Sequence, residues 1–519
     1  MIFRSPHPDI DIPDRVSLPE FIFEDVASFA DKTALIDGPS GRSLTYGELY
    51  RDTQSYARGL HDRGFTRGDV FAIYCPNMPE YAVVFYAVAM LGGINTTINP
   101  LYTVDELARQ LNDAGARYLL TIPPFAENAL AAAAQSSIEE VFVIGEAEGA
   151  TPWTSLMRED GELPSVAIDP REDLVVLPYS SGTTGLPKGV MLTHYNLVAN
   201  ISQFRDIGGV TDEDRLIAIL PFFHIFGMVV LMAYGLLQRT TVVTMPRFDL
   251  PQFLQLMQDH AISRAFLVPP IVLALAKNPT VDDYDLSALK FIFCGAAPLS
   301  REVTLSCSER LDCLVSQGYG MTEMSPATNL DDLDPAKIRP GSIGRLMPNT
   351  EAKIVDVESG EALGPNQQGE YCVRGPQRMP GYLNNPEATA ESIDADGWYH
   401  SGDIGYIDED GYAYIVDRVK ELIKYKAMQV APAELEAVLL SHEAIIDAAV
   451  VPCPDEEAGE IPKAYVVTNA EIDAEAIMDY VAERVAPHKK IRALEFTDEI
   501  PKSPSGKILR RLLVERERS

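Results

Sequence analysis

The apolar positions of this chain follow two rhythms. From residue 71 onward, short wholly apolar runs alternate with longer stretches of helical period. Phe71-Ala72-Ile73-Tyr74-Cys75-Pro76 reads as a buried strand closed by proline. The pattern then predicts an apolar helix over 80–91, a strand over 94–98, a polar-capped helix over 104–114 and a strand ending at Pro123-Pro124. The same order returns after Leu216-Ile217-Ala218-Ile219-Leu220-Pro221: an apolar helix over 225–237, a strand over 240–245, a helix over 250–260 and a strand ending at Pro269-Pro270. The prolines match in place, Pro76 to Pro123 spanning 47 positions and Pro221 to Pro269 spanning 48. Strands alternating with helices of these lengths predict parallel, doubly wound sheets. Two such runs predict two related sheet subdomains inside one large domain.

From Gly341 the rhythm shortens to period two. Runs at 351–357, 369–374 and 411–416 are separated by Glu358-Ser359-Gly360 and Asp408-Glu409-Asp410-Gly411, which predicts a small β-rich subdomain. After Asp417-Arg418-Val419-Lys420 helices are expected at 433–440 and 474–485, with strands at 448–451 and 464–467. These make a compact α+β module. The division is therefore 1–417, a connector at 418–420, and 421–519.

Composition narrows the function. The 519 residues carry 43 Lys+Arg against 76 Asp+Glu, a net charge of −33, which disfavours wrapping nucleic acid or an anionic membrane. Residues 418–519 contribute only −4 of this, with 15 basic and 19 acidic residues, so the last hundred residues can still meet a polyanionic small molecule. Cys75, Cys294, Cys307, Cys313, Cys372 and Cys453 have no metal-ligand spacing and suit a reducing cytosol. MIFRSPHPDIDIPD lacks an apolar signal core and the tail is not S-K-L, so a cytoplasmic protein is expected. Residues 217–237 hold no Asp, Glu, Lys or Arg over nearly a bilayer's length, yet Pro221 and His224 interrupt them. A buried strand-turn-helix is the expected form, without integral membrane association.

Ser180-Ser181-Gly182-Thr183-Thr184-Gly185-Leu186-Pro187-Lys188-Gly189 concentrates four hydroxyls, three glycines and a lysine. Glycines let backbone approach a ligand closely, hydroxyls donate, and lysine adds a point charge: the equipment of an anion cradle. It is not the G-x-x-x-x-G-K-[ST] loop that opens a helix, and extended sequence on both sides predicts a connection between two strands. Composition alone fits a mobile surface turn as well. His224 follows the strand that ends at Pro221, at the carboxyl edge where open α/β sheets bind ligands, and fits either a pocket contact or packing.

Further motifs stand in order: Gly318-Tyr319-Gly320-Met321-Thr322-Glu323, Tyr399-His400-Ser401-Gly402-Asp403 and Pro501-Lys502-Ser503-Pro504-Ser505-Gly506-Lys507-Ile508. With the 180–189 loop, this set resembles the adenylate-forming superfamily of acyl-CoA synthetases, luciferases and carrier-loading adenylation domains. SSGTTGLPKGV, Gly369-Glu370-Tyr371-Cys372-Val373-Arg374-Gly375 and Lys424-Tyr425-Lys426-Ala427-Met428-Gln429-Val430 are similar to the 4-coumarate:CoA ligase and luciferase-like branch. The resemblance spans nearly the whole chain. It implies an ATP-dependent ligase that makes an acyl-adenylate with loss of pyrophosphate, then a coenzyme A thioester with loss of AMP. Joining two anions calls for cations and oriented donors rather than a protein nucleophile.

The resemblance also implies residue roles. Ser180, Ser181, Gly182, Thr183, Thr184, Gly185 and Lys188 would hold the β- and γ-phosphates of ATP. Gly295, Ala296, Ala297, Pro298, Gln317, Gly318, Tyr319, Gly320 and Met321 would flank the nucleotide, and Thr322 would meet the α-phosphate. Glu323 would bind Mg²⁺ as a hard oxygen ligand. Asp403 would accept the ribose hydroxyls with Arg418 beside it, and Lys507 would reach the α-phosphate and the substrate carboxylate. Lys424, Tyr425, Lys426, Ala427 and Gln429 would form a coenzyme A face. A mobile C-terminal domain would turn about Lys420 to exchange that face for Lys507. His224, Phe226, Val230, Gly318, Met324 and Pro326 would line the acyl pocket, with His224 also catalytic. In that reading Gly318 leaves room for a flat ring. Mostly apolar lining favours an aromatic acid of the coumarate type, with a medium-chain fatty acid as the alternative. Loading of a carrier protein in place of free coenzyme A is the rival reading; Lys424-Tyr425-Lys426 favours the latter. Met324-Ser325 and Ala427-Met428 depart from the plant pattern and bear on the acid more than on the reaction. Oligomeric state is not fixed by the sequence.

Overall fold

The computed structural model describes residues 1–180, 187–418, 421–426, 428–455, 458–503 and 506–518. Two large sheets form its base. In the first, parallel strands run in the order Leu174–Ser180, Ile94–Thr97, Val70–Ile73, Ala116–Thr121, Glu140–Val143 and Thr151–Pro152. Lys188–Thr193 and then Gly381–Tyr382 add antiparallel strands at one edge. In the second, Thr241–Thr244, Arg215–Ala218, Arg264–Leu267, Phe291–Cys294 and Leu314–Gly320 are parallel neighbours. Thr33–Asp37 extends the parallel order beside Thr241–Thr244, and antiparallel strands close both edges.

The repeat read from the sequence is a repeat of topology. In each run the first strand lies between the other two, Val70–Ile73 between Ile94–Thr97 and Ala116–Thr121, and Arg215–Ala218 between Thr241–Thr244 and Arg264–Leu267. Short polar signals set the connecting helices. Val104–Ala114 starts at Thr103, whose hydroxyl accepts from Glu106 N–H while the Glu106 carboxylate accepts from Thr103 N–H, and it stops at Gly115 with φ 63°. Helix Pro79–Met90, apolar on every face, is buried from Pro79 to Ala89, as an unpolarised helix must be. One apolar core runs through both sheets, from Leu18 to Ala413, and a second, around Ala72, Leu107 and Leu119, packs on the first sheet. Asn77 ties their ends together. Its amide donates to Ala218 O (2.8 Å) and Leu220 O (2.9 Å), and its oxygen accepts from Phe222 N–H (2.7 Å).

The apolar stretch 225–237 departs from the expected α-helix. Phe226–Ala233 is π-helical, with Tyr234 N–H bonded to Val229 O five residues back, and only Tyr234–Leu237 is α. Its start is pressed against the preceding strand end: a Cβ on Gly227 would lie 2.2 Å from Pro221 O. Wide turns of this kind recur at functional sites. No helix among the described residues is long and apolar enough to cross a membrane.

Strands Glu351–Val355, Gly369–Arg374, Tyr399–Ile407 and Ala413–Arg418 form an antiparallel sheet with Phe3–Arg4 at its edge. The last strand starts two residues later than its apolar pattern suggests because Gly411 (φ 83°) belongs to the turn. Beyond it lies a separate layer: the hairpin Ile445–Asp455 with Gly459–Thr468, strands Ile423–Tyr425, Met428–Val430 and Ala493–Phe496, and helices Pro432–Leu440, Ala474–Ala482 and Arg510–Arg518. It has its own cores, one around Ile423, Leu435, Val450 and Ile477 and another around Val451, Tyr465 and Leu513.

Candidate active site

Carboxyl ends of strands supply most of the site. Leu314–Gly320 carries Tyr319 and Gly320 out of the second sheet, and a Cβ on Gly320 would lie 2.2 Å from Pro326 O, so only glycine lets this turn close. The chain then makes a single 3₁₀ turn at Thr322–Met324, which buries Glu323. Glu323 Oε1 accepts from Ser180 Oγ (3.0 Å) and from Tyr382 Oη (2.8 Å); its Oε2 accepts no hydrogen bond among the described residues. A buried carboxylate with one oxygen held by hydroxyls and the other unengaged suits a hard divalent cation such as Mg²⁺. Lys188 begins the strand after the glycine-rich loop, paired in register with Ser180, and its Nζ lies 4.4 Å from the centre of the Tyr382 ring. The loop does join two strands. Ser181, Gly182, Thr183, Thr184 and Gly185 lie outside the described residues, as do Lys420 and Ala427.

The second group comes from the antiparallel sheet. Tyr319 Oη donates to Asp403 Oδ2, and Arg418 Nε pairs with Asp403 Oδ1 at 3.1 Å. Burial raises the Asp403 carboxyl and Arg418 opposes the rise. Asp403 is aimed by its neighbours: its N–H donates to Ser401 Oγ, whose hydroxyl donates to Tyr371 O, and Glu370 accepts from Gly402 N–H (3.0 Å). Glu370 also holds His400 Nδ1 at 2.8 Å, and hydrogen bonding to Glu370 raises the imidazole's pKa. Glu370, Cys372 and His400 lie close enough together to resemble metal ligands. Yet Glu370 spends both oxygens on the protein, and burial pushes the Cys372 thiol up, so this cluster shapes the turn before Asp403.

Lys507 arrives from the C-terminal layer. Gly506 (φ 78°) sits against Val268 and Pro270 of the large domain. Burial and then the Arg418 guanidinium pull the Lys507 ammonium below its ordinary pKa, while Asp403 and Glu323 draw it back up. On the other side stands His224, whose imidazole is lowered to about 3 by burial and by Lys507, so it is neutral at neutral pH. Its Nδ1 accepts from Phe226 N–H at 3.3 Å. Lys507, His224, Glu323, Asp403 and Arg418 are thus gathered from distant parts of the chain.

The remaining sequence candidates divide. Gln317 is buried and accepts from Leu299 N–H (2.9 Å), which pins the turn Gly295-Ala296-Ala297-Pro298, where Ala296 has φ 72°. Phe226, Val230, Met324 and Pro326 are buried; Thr322 and Met321 are half-buried. Gly318 is half-exposed, and a Cβ there would lie 2.2 Å from Phe293 Cζ and 2.8 Å from Asn329 O, so the Phe293 ring takes the side where a side chain would stand. Phe293, buried and 6.1 Å from the Phe226 ring in an edge-on contact, was not singled out because its run Phe291–Cys294 reads as core strand. Lys424 is exposed in the C-terminal layer, its N–H bonded to Glu460, and Tyr425 lies under Arg492 at 3.7 Å. Lys426 is exposed with φ 45°, and Gln429 lies in the facing strand. The structure therefore gathers Lys507 with the other site residues, and no contact among the described residues joins Lys424 to them.

The chain matches the AMP-binding enzyme family over residues 22–383 and the C-terminal domain of AMP-binding enzymes over 434–507. It is 43% identical to 4-coumarate--CoA ligase 5 of Oryza sativa subsp. japonica over 98% of this chain and 96% of that protein, and 44% identical to 4-coumarate--CoA ligase of Pinus taeda with the same coverage. Among solved structures, the anthranilate CoA ligase AuaEII in complex with anthranoyl-AMP superposes with a TM-score of 0.91 at 26% identity, covering 98% of each chain.

Proposed function

Since this chain belongs to the AMP-binding enzyme family and is an AMP-forming acid–thiol ligase that uses ATP and coenzyme A, we propose that its acid is a hydroxycinnamate of the 4-coumarate type. The observation that carries the site assignment is the convergence of Lys507 with Asp403, Arg418, Glu323 and His224 across two layers of the molecule.

In the first half-reaction the acid's carboxylate attacks the α-phosphorus of ATP and pyrophosphate leaves. Lys507 supplies the cation that draws carboxylate and α-phosphate together. Asp403 accepts from the ribose hydroxyls, and Tyr319 and Arg418 hold it in place. Lys188 and the hydroxyl-rich loop take the outgoing phosphates. Glu323 would hold Mg²⁺, which would supply phosphate charge neutralisation. His224, uncharged, closes the acid's side without competing for the carboxylate. In the second half-reaction the thiol sulfur of coenzyme A attacks the acyl carbon and AMP leaves. Lys424, Tyr425, Lys426, Ala427 and Gln429 form the face for that step, brought round by rotation of residues 421–519 about the connector at 418–420.

An aromatic acid is supported by the Phe226, Phe293 and Phe266 rings near the pocket, by the 4-coumarate--CoA ligases among the relatives and by anthranoyl-AMP in the structural neighbour. Six free cysteines, five of them buried, support a cytoplasmic setting, and the charge of −33 argues against nucleic-acid partners. Pyrophosphate release measured with coumarate, octanoate and acetate, with and without coenzyme A, tests the reading. Coumarate is expected to give the highest kcat/KM and acetate a poor one; octanoate or acetate ahead of coumarate overturns the proposed acid.

A further inference from the structure

One side chain touches three parts of this site and has no role so far. Tyr382 lies in the two-residue strand Gly381–Tyr382, which is hydrogen-bonded to Lys188–Thr193 at the sheet edge, with Val190 opposite Tyr382. It is buried, and its hydroxyl donates to Glu323 Oε1 at 2.8 Å. The phenol has one proton, so the Tyr399 hydroxyl, 3.3 Å away, must donate to the Tyr382 oxygen. The ring face carries Lys188 Nζ at 4.4 Å, within cation–π range.

We propose that Tyr382 is a positioning residue for the metal ligand: its hydroxyl, with Ser180, holds Glu323 Oε1 and so presents Oε2 to the divalent cation, while its ring rests Lys188 beside the phosphate site. The proposal rests on Glu323 being the metal ligand. Hydrogen bonds of this kind orient metal-binding carboxylates, and losing one typically lowers metal affinity about 10-fold or more. Residue 382 also serves two groups. Its hydroxyl bonds the metal-ligand carboxylate while its ring face carries the phosphate-side lysine, so both rest on one side chain.

The test uses the full-length protein, Mn²⁺ and a non-hydrolysable ATP analogue, with bound Mn²⁺ read by electron paramagnetic resonance. Mg²⁺ dependence of pyrophosphate exchange is measured alongside. Tyr382→Phe keeps the ring for Lys188 and removes the donor. It is expected to weaken Mn²⁺ binding and to raise the half-saturating Mg²⁺ about 10-fold, with the KM for the acid unchanged. Tyr399→Phe leaves Tyr382 in place but frees its hydroxyl, and should move both readings less and in the same direction; it carries the test if Tyr382→Phe does not fold. Glu323→Gln separates the two levels of the argument. If it leaves Mn²⁺ binding intact, the metal assignment falls. If it abolishes Mn²⁺ binding while a folded Tyr382→Phe, or in its place Tyr399→Phe, matches wild type, the role of Tyr382 falls alone.

Discussion

His194 is wholly buried at the start of helix His194–Ile207, and its Nδ1 accepts from Leu18 N–H at 3.0 Å. The Nε2 hydrogen finds no partner among the described residues. Burial lowers this imidazole to about 4 from an ordinary 6.5. Below pH 6.5 the unfolded chain takes a proton that the folded chain refuses until about pH 4. Stability is therefore lost as pH falls through that window, by about 2 kcal/mol at pH 5. Comparing melting temperatures at pH 7 and pH 5 checks this: His194→Gln is expected to be less stable at pH 7 yet to lose less on acidification. An equal loss in both proteins would clear His194 of the effect. At this scale the legible residues were those inside dense polar strings, such as Lys507, Glu323 and Asp403. Tyr382 was not legible, because an aromatic within Pro380-Gly381-Tyr382-Leu383-Asn384 looks like any loop residue and its partners come from other segments. His194 shows the same limit: only the fold reveals that it is neutral and buried.

Elements were legible where one physical signal dominated. The capped helix Val104–Ala114 falls where its Thr103 box and Gly115 stop place it. The two β-α-β-α-β runs were readable from apolar period and proline spacing, and their shared strand order follows from right-handed crossovers packing helices on a sheet. What could not be read was the π winding of Phe226–Ala233, which depends on how tightly Gly227 abuts the carbonyls of Leu220 and Pro221. Nor could the sequence tell that the strand Phe291–Cys294 fills the space beside Gly318 with a ring. This changes what substitution there does. In Gly318→Ala the new methyl would displace Phe293, so kcat/KM for coumarate and octanoate should fall by similar factors. Selective loss of coumarate alone would mean that the ring of the acid does lie against Gly318.

At the scale of the whole molecule, one layer carries both lysines but offers only Lys507 to the site. The two half-reactions should therefore separate by mutation. Lys507→Ala is expected to cost adenylation at least about 100-fold, measured by ATP–pyrophosphate exchange, while thioester formation from synthetic acyl-adenylate survives. Lys424→Ala should do the reverse. Equal damage to both steps by either variant would argue against rotation between two working faces. Among the described residues, contacts that hold the present arrangement include Lys277 Nζ to Leu440 O (2.9 Å), Ala433 N–H to Asp417 Oδ2 (3.0 Å) and the Gly506 turn against Val268 and Pro270. The partition of apolar cores carries a calorimetric consequence. The large core spans both parallel sheets, so neither can lose its packing while the other keeps its own, and that part should melt in a single cooperative step. The cores of residues 423–513 share no side chain with it, so their melting should be thermally independent apart from the contacts between the layers. A scanning calorimetry trace should resolve two endotherms, the smaller one shifting when an acyl-adenylate analogue bridges Lys507 to Asp403; one indivisible endotherm would mean that the layers are fused in energy as well as in chain.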